Sequence, residues 1–179
     1  MKKLLLILLA AILILSMAAC SHDAQPEQVS PPGSNGPSKP TSTEPPVLVI
    51  DDRSGNSIQA NTGTFSWIYD NGDGTQTGVC ADSAHPLEWQ KFLEPMTTTE
   101  DSVEIRFAVP PQEYKVYRWN ESCWGDVNAV SEYVETNGNV IDINDGGYIY
   151  EVIAKWTGEN LAAEGTVHYG FYVIKTTPR

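Results

Sequence analysis

The stretch GYIYEVIAKWTGENLAAEGTVHYGFYVIK, residues 147–175, decides the fold. Tyr148, Tyr150, Val152, Ala154 and Trp156 recur at every second position, as do Val167, Tyr169, Phe171 and Val173. A period of two marks a β-strand with one buried face. The loop between the runs, GENLAAEG, suits an antiparallel hairpin made of Tyr148–Thr157 and Thr166–Lys175. The other face is mixed: Glu151 and Lys155 share it with Ile149 and Ile153.

Moving outward, Val103, Ile105, Phe107 and Val109 alternate with Glu104 and Arg106. Weaker strands are predicted at 47–50, 57–60, 64–69, 76–80, 114–119 and 140–143. Asn71-Gly72, Asp73-Gly74, Asn137-Gly138 and Asp145-Gly146-Gly147 punctuate them. Asn-Gly and Asp-Gly pairs supply the positive φ that tight hairpin turns need. No segment has a convincing amphipathic helical pattern beyond short turns near 87–92 or 127–133. Many short strands predict an all-β chain, an antiparallel β-sandwich in a single domain spanning residues 47–179. Asp145 to Val152 resembles the penultimate strand of bacterial immunoglobulin-like domains, so one of its tyrosines is expected to hydrogen-bond back to the preceding loop.

The chain opens MKKLLLILLAAILILSMAAC. Lys2 and Lys3 precede an apolar run and then the small residues Ala18 and Ala19, the anatomy of a secretory signal over residues 1–19. Residues 16–20, Ser-Met-Ala-Ala-Cys, resemble the lipobox of bacterial lipoproteins. That resemblance implies a diacylglyceryl group on Cys20, cleavage before it, and anchoring to the outer face of the cell membrane, where two acyl chains hold stably. Residues 21–46 hold seven Pro, five Ser and no aromatic residue. Such a segment buries too little apolar surface to offset ordering and reads as a semi-rigid stalk.

Residues 47–179 carry twenty acidic and eight basic side chains, a formal charge of −12. Phosphate backbones need clustered cations, so nucleic acid is not an expected partner. After Cys20, the remaining cysteines are Cys80 and Cys123. In an exported domain such a pair invites a disulfide, with a loop closure worth about 4 kcal/mol. GVCADSAHPLEW, residues 78–89, offers the alternative of a metal or Cys–His site built from Cys80, Asp82 and His85. Zinc requires three or four ligands, and no second Cys/His cluster stands nearby in sequence. His168 lies mid-strand on the polar parity and reads as a surface residue. Asp70 to Thr75 fails as a calcium loop, because position 3 is Gly72 and position 12 is Ala81. No cofactor motif is found. Trp119 and Trp124 flank the 120–123 loop and are the expected exposed platforms for a ligand such as a sugar, whereas Trp156 shares parity with core positions.

TFSWIYDNGDGTQTGVCADSAHPLEW, ESCWGD and GYIYEVIAKW…GTVHYGFYVIK are similar to an uncharacterised extracellular domain of Gram-positive bacteria. That domain occurs in small lipoproteins and appended to membrane sensor metallopeptidases of the β-lactam-sensor type. The likeness runs from about Thr62 to Lys175. It carries no catalytic residues, and the His-Glu-x-x-His motif of the peptidase is absent from this chain. The resemblance implies a non-enzymatic, lipid-anchored surface module that binds an envelope protein or a small ligand in a sensory or accessory role. The alternatives are a protease-inhibitor-like sandwich, a carbohydrate-binding module and a Cys/His-based site.

Overall fold

The computed structural model describes residues 42–159 and 161–177. The expected signal segment, Cys20 and the expected stalk as far as residue 41 lie outside the described residues. Eleven strands follow one another: β1 Leu48–Asp51, β2 Ser57–Gln59, β3 Asn61–Asp70, β4 Gln76–Ala81, β5 Pro95–Thr98, β6 Ser102–Phe107, β7 Glu113–Asn120, β8 Glu132–Val134, β9 Val140–Asp142, β10 Gly146–Thr157 and β11 Ala163–Lys175. Two short 3₁₀ turns, Pro86–Glu88 and Glu121–Cys123, are the helical elements among the described residues. The described residues form an all-β sandwich.

The smaller sheet runs β2-β1-β6-β9 and the larger β4-β3-β11-β10-β7-β8. The alternation read from the sequence sets the interface between them. Leu48 and Ile50 of β1, Val103 and Ile105 of β6 and Ile141 of β9 meet Trp67, Val152, Trp156, Tyr169 and Phe171 of the larger sheet in one buried cluster. Trp67 and Trp156 meet edge to face at 5.6 Å between ring centroids. The expected hairpin is present, with β10 and β11 in register from Gly146↔Lys175 to Thr157↔Glu164. Its loop is shorter than expected, because β11 begins at Ala163.

Strand β5 pairs in parallel with the second half of β11, Tyr172↔Pro95 to Lys175↔Thr98, while the first half of β11 pairs antiparallel with β3. Neither β5 nor β8 was predicted. Strand β8 is three residues long, and Arg118 holds it by a two-pronged bond to Glu132, Nε and Nη2 each 2.9 Å from a carboxylate oxygen.

The hydroxyl that reaches back along the chain belongs to Tyr169, not to a tyrosine of the 145–152 segment. It is buried and donates to the Pro46 carbonyl at 2.6 Å. Tyr150 is fully buried beside Arg118, and burial, only partly offset by that guanidinium, pushes its phenol up to about 12. Trp67 Nε1 donates to the Ser42 carbonyl at 3.0 Å, and Pro46 is buried. Residues 42–46, placed in the stalk on composition, therefore pack on the sandwich. A chain starting at Val47 leaves two buried donors without acceptors, at about 1–3 kcal/mol each. Its thermal midpoint should fall several degrees below that of a chain starting at Ser42, and equal midpoints would show that these bonds contribute nothing.

The β1–β2 connection is organised by Asp52, a fully buried acid. Its Oδ1 accepts from Ser54 N, Ser54 Oγ and Asn56 N, and its Oδ2 accepts from Asn56 Nδ2 at 2.7 Å. Burial pushes the Asp52 carboxyl up, but these bonds together with one from Thr98 outweigh it and hold the group at about 2. A depressed folded-state pKa stabilises above the ordinary value of 3.8, and that contribution is lost as pH falls through about 2. Asp52→Asn should therefore lower the melting temperature at pH 7. The gap to the parent chain should narrow as pH drops from 4 towards 2, read by thermal melts across that range.

Candidate functional site

Residues 82–94 leave β4, cross the outer face of the larger sheet and enter β5. They fold this way because the outer face is apolar in its middle. Ile149 is fully buried there, and with Leu87, Trp89, Leu93 and Trp119 it forms a second buried cluster away from the sandwich core. The crossing begins at His85, whose Nδ1 accepts from Leu87 N at 3.2 Å and caps the first 3₁₀ turn. Pro86 takes the first position of that turn, where its missing N–H costs nothing. Phe92 N and Leu93 N both donate to the Trp89 carbonyl, at 2.7 and 3.0 Å, and close the next turn.

The Trp89 indole lies on two glycines of adjacent strands. A methyl group at Gly63 would stand 2.6 Å from the ring, and one at Gly170 would stand 2.5 Å away. A β-bulge makes this seat. Val167 pairs with Phe65 and Tyr169 with Thr62, so Gly63 and Thr64 together oppose His168. An extra residue reverses the facing of β3. Phe65 and Trp67 point into the sandwich, while Gly63 meets Trp89 on the outer side.

Around this crossing the surface is hollowed into three adjoining depressions. The largest, about 600 Å³, is bordered by Asn61, Thr62, Ser83, Glu88, Trp89 and Phe92. A second of about 380 Å³ shares Gln59, Asn61 and Phe92 with it and continues to Glu94. A third of about 250 Å³ shares Ser83, Ala84 and Trp89 and holds His85, Glu151 and His168. These three adjoining depressions, bordered by the crossing segment, are called the trough below. Phe92 stands at the junction of the first two with 72% of its surface exposed. Asn61 Nδ2 donates to the Phe92 carbonyl at 3.1 Å and fixes that turn to β3. In the third depression His168 Nδ1 lies 2.9 Å from Glu151 Oε1, and Thr64 Oγ1 lies 3.3 Å from Ser83 Oγ.

The residues singled out in the sequence are distributed otherwise than expected. Cys80 and Cys123 are both unbridged. Cys80 pairs with Ser66, Ser66 with Thr166 and Thr166 with Lys155, whereas Cys123 follows Asn120, which pairs with Tyr148. The two levels differ by seven residues of β10, roughly 23 Å at about 3.3 Å per residue. That exceeds the reach of about 7 Å between Cα atoms that a disulfide allows. Nor do Cys80, Asp82 and His85 assemble a metal site. Among the described residues no group of three or more His, Cys, Asp or Glu could hold an ion. His85 instead spends Nδ1 on its cap and sets its ring edge-on against Trp119 at 5.1 Å.

Trp119 is not an exposed platform. It is 6% exposed, and its Nε1 donates to the Ala129 carbonyl. Trp124 is half-buried, edge-on to Tyr172 at 5.5 Å. Both belong to the layer that covers Ile149. The residues at the trough that the sequence left unmarked are Gln59, Asn61 and Phe92. Ile149 on the polar parity was the available signal that something covers the outer face. No known family, no curated protein and no solved structure matches the chain.

The Trp89 seat gives a direct test. Gly170→Ala should lift the indole from β11 and expose it, seen as a red shift of tryptophan emission and a loss of stability of about 1–3 kcal/mol. An unshifted spectrum with wild-type stability would show that the crossing segment is not seated on these glycines.

Proposed function

We propose that the chain is a non-catalytic ligand-binding module of the bacterial surface, tethered through lipid on Cys20, with the trough around Phe92 as its binding site. The observation that carries the reading is a large exposed aromatic ring, held by a backbone-anchoring bond from Asn61, at the border between an open depression of about 600 Å³ and its neighbour of about 380 Å³. An isolated exposed apolar side chain is ordinary, but one set in a concave, mixed-polarity surface has the form of a binding site. The trough is built on sheet strands and a seated tryptophan, so it is formed before a ligand arrives, which lowers the cost of binding. The lipobox resemblance of residues 16–20 supports the tether, and the likeness to domains appended to sensor metallopeptidases supports a sensory or accessory role.

The test uses the full chain in detergent, immobilised and exposed to solubilised cell envelope. Material retained by the parent chain should be lost with Phe92→Ala and kept with Val130→Ala, since Val130 is 93% exposed and lies outside the trough. Retention equal in both variants overturns the trough as the site. In fractionated cells Cys20→Ala should leave the membrane or remain unprocessed, and normal membrane recovery at mature size would overturn the lipid tether.

A further inference from the structure

We propose that the trough takes a neutral, hydroxyl-rich chain, a linear oligosaccharide, with Phe92 as its stacking platform. The inference rests on the trough being the binding site and assigns the chemical class of the ligand. Three features of the lining point to it.

The first is charge. Among the described residues lining the three depressions there is no Lys or Arg, and the whole chain has a formal charge of −12. An anionic ligand would meet repulsion without a partner. The carboxylates are spread one to a depression, Glu88, Glu94 and Glu151, and Glu151 is already engaged by His168. A strongly cationic peptide would meet no cluster of acids, only separated single ones.

The second is the kind of polar group. Gln59, Asn61 and Thr62 are amides and a hydroxyl, each able to donate and to accept, and Ser83, whose hydroxyl donates to the Ala84 carbonyl, adds an acceptor. A sugar hydroxyl also does both, so it can satisfy and be satisfied by such a rim. The exposed Phe92 ring offers an apolar face at the same place, as the C–H face of a pyranose requires. An apolar platform ringed by paired donor–acceptor groups matches the two-sided chemistry of a sugar ring better than it matches a purely apolar or a charged ligand.

The third is shape. Neighbouring depressions share lining residues on either side of the largest one: Gln59, Asn61 and Phe92 on one flank, Ser83, Ala84 and Trp89 on the other. Adjoining depressions that share walls favour a ligand with repeated units over a compact molecule, because each unit adds contacts without a further loss of translational freedom.

The experiment is titration calorimetry of the full chain in detergent with neutral gluco- and chito-oligosaccharides, as disaccharides and pentasaccharides, with pentalysine as the cationic comparison. At least one pentasaccharide should bind saturably, about tenfold or more tighter than its disaccharide, and Phe92→Ala should weaken it about tenfold with an unchanged thermal midpoint. Asn61→Ala, which removes the anchor of the Phe92 turn, should weaken it as well. Binding of pentalysine alone overturns the saccharide assignment. So does saccharide binding that both variants leave unchanged. If no saccharide binds while envelope retention still depends on Phe92, the ligand class is wrong and the trough stands. If retention is independent of Phe92, the trough itself fails.

Discussion

The twelve-residue register between β10 and β11 is the constraint on which the rest of the larger sheet depends. Strand β10 hands one edge to β7 and the other to β11, and β11 in turn carries β3 on its first half and β5 on its second. A slip of one residue would send Tyr150, Val152, Ala154 and Trp156 to the outer face and bring Glu151 and Lys155 into the core. The alternating side chains forbid that slip, so the central pairing is specified strongly and its neighbours inherit its level. Charge adds a peripheral restraint where β10 begins and β11 ends. Lys175 Nζ lies 2.8 Å from Asp101 and 3.1 Å from Asp145, and these hydrogen-bonded acids raise its pKa.

What distinguishes this sandwich is that its larger sheet is covered on both faces in the middle. Ile149 requires a cover on the outside just as Val152 does on the inside. Two separate segments supply it. Residues 82–94 bring Leu87, Trp89 and Leu93, and the segment after β7 brings Cys123, Trp124 and Ala129. They are joined by the bond from Gly125 N to the Leu87 carbonyl at 2.9 Å. Close approach makes the second segment possible too. A methyl group on Gly147 would overlap the Glu121 carboxylate, which accepts a hydrogen bond from the Tyr172 hydroxyl. Burial and that neighbouring carboxylate push the Tyr172 phenol up to about 12, so it remains the donor throughout the neutral range. Because the cover is a loop layer rather than a third sheet, it ends in open edges. The trough lies along one such edge.

The core of the fold was legible in the sequence, and the outer layer was not. Period-two alternation reports which face of a strand is buried, and it placed β6, β10 and β11 close to their observed limits. It says nothing about which strands are neighbours, so the parallel pairing of β5 and the brief β8 went unread. The same ignorance misled the reading of the cysteines: compartment and count suggest a bridge, but only register shows that the two thiols sit at different levels of the sheet. Trp119 was misjudged for a related reason. Its position beside a loop suggests exposure, yet it lies on the same outer face as Ile149, whose burial requires aromatic company. Composition also overextended the stalk. Residues 42–46 are Ser, Thr, Glu and Pro, poor in side chains for a core, and they bind through carbonyl oxygens, which no composition reveals.

That last point bears on how a site arises here. The chemistry at the trough comes from positions with weak sequence signatures: a glycine pair, a bulge, an asparagine at a strand start and one exposed phenylalanine. Each is unremarkable alone. Their conjunction follows from β3 reversing its facing at Gly63 and Thr64. That reversal keeps Trp67 in the core, turns Gly63 outward to receive Trp89, and sets Thr64 beside Ser83. Remove the extra residue and the odd-numbered side chains of β3 would keep one facing along its length. Either Trp67 would leave the core or Gly63 would turn away from the indole. The bulge thus couples the packing of the sandwich to the seat of the crossing segment, and through Trp89 and its turn to the position of Phe92.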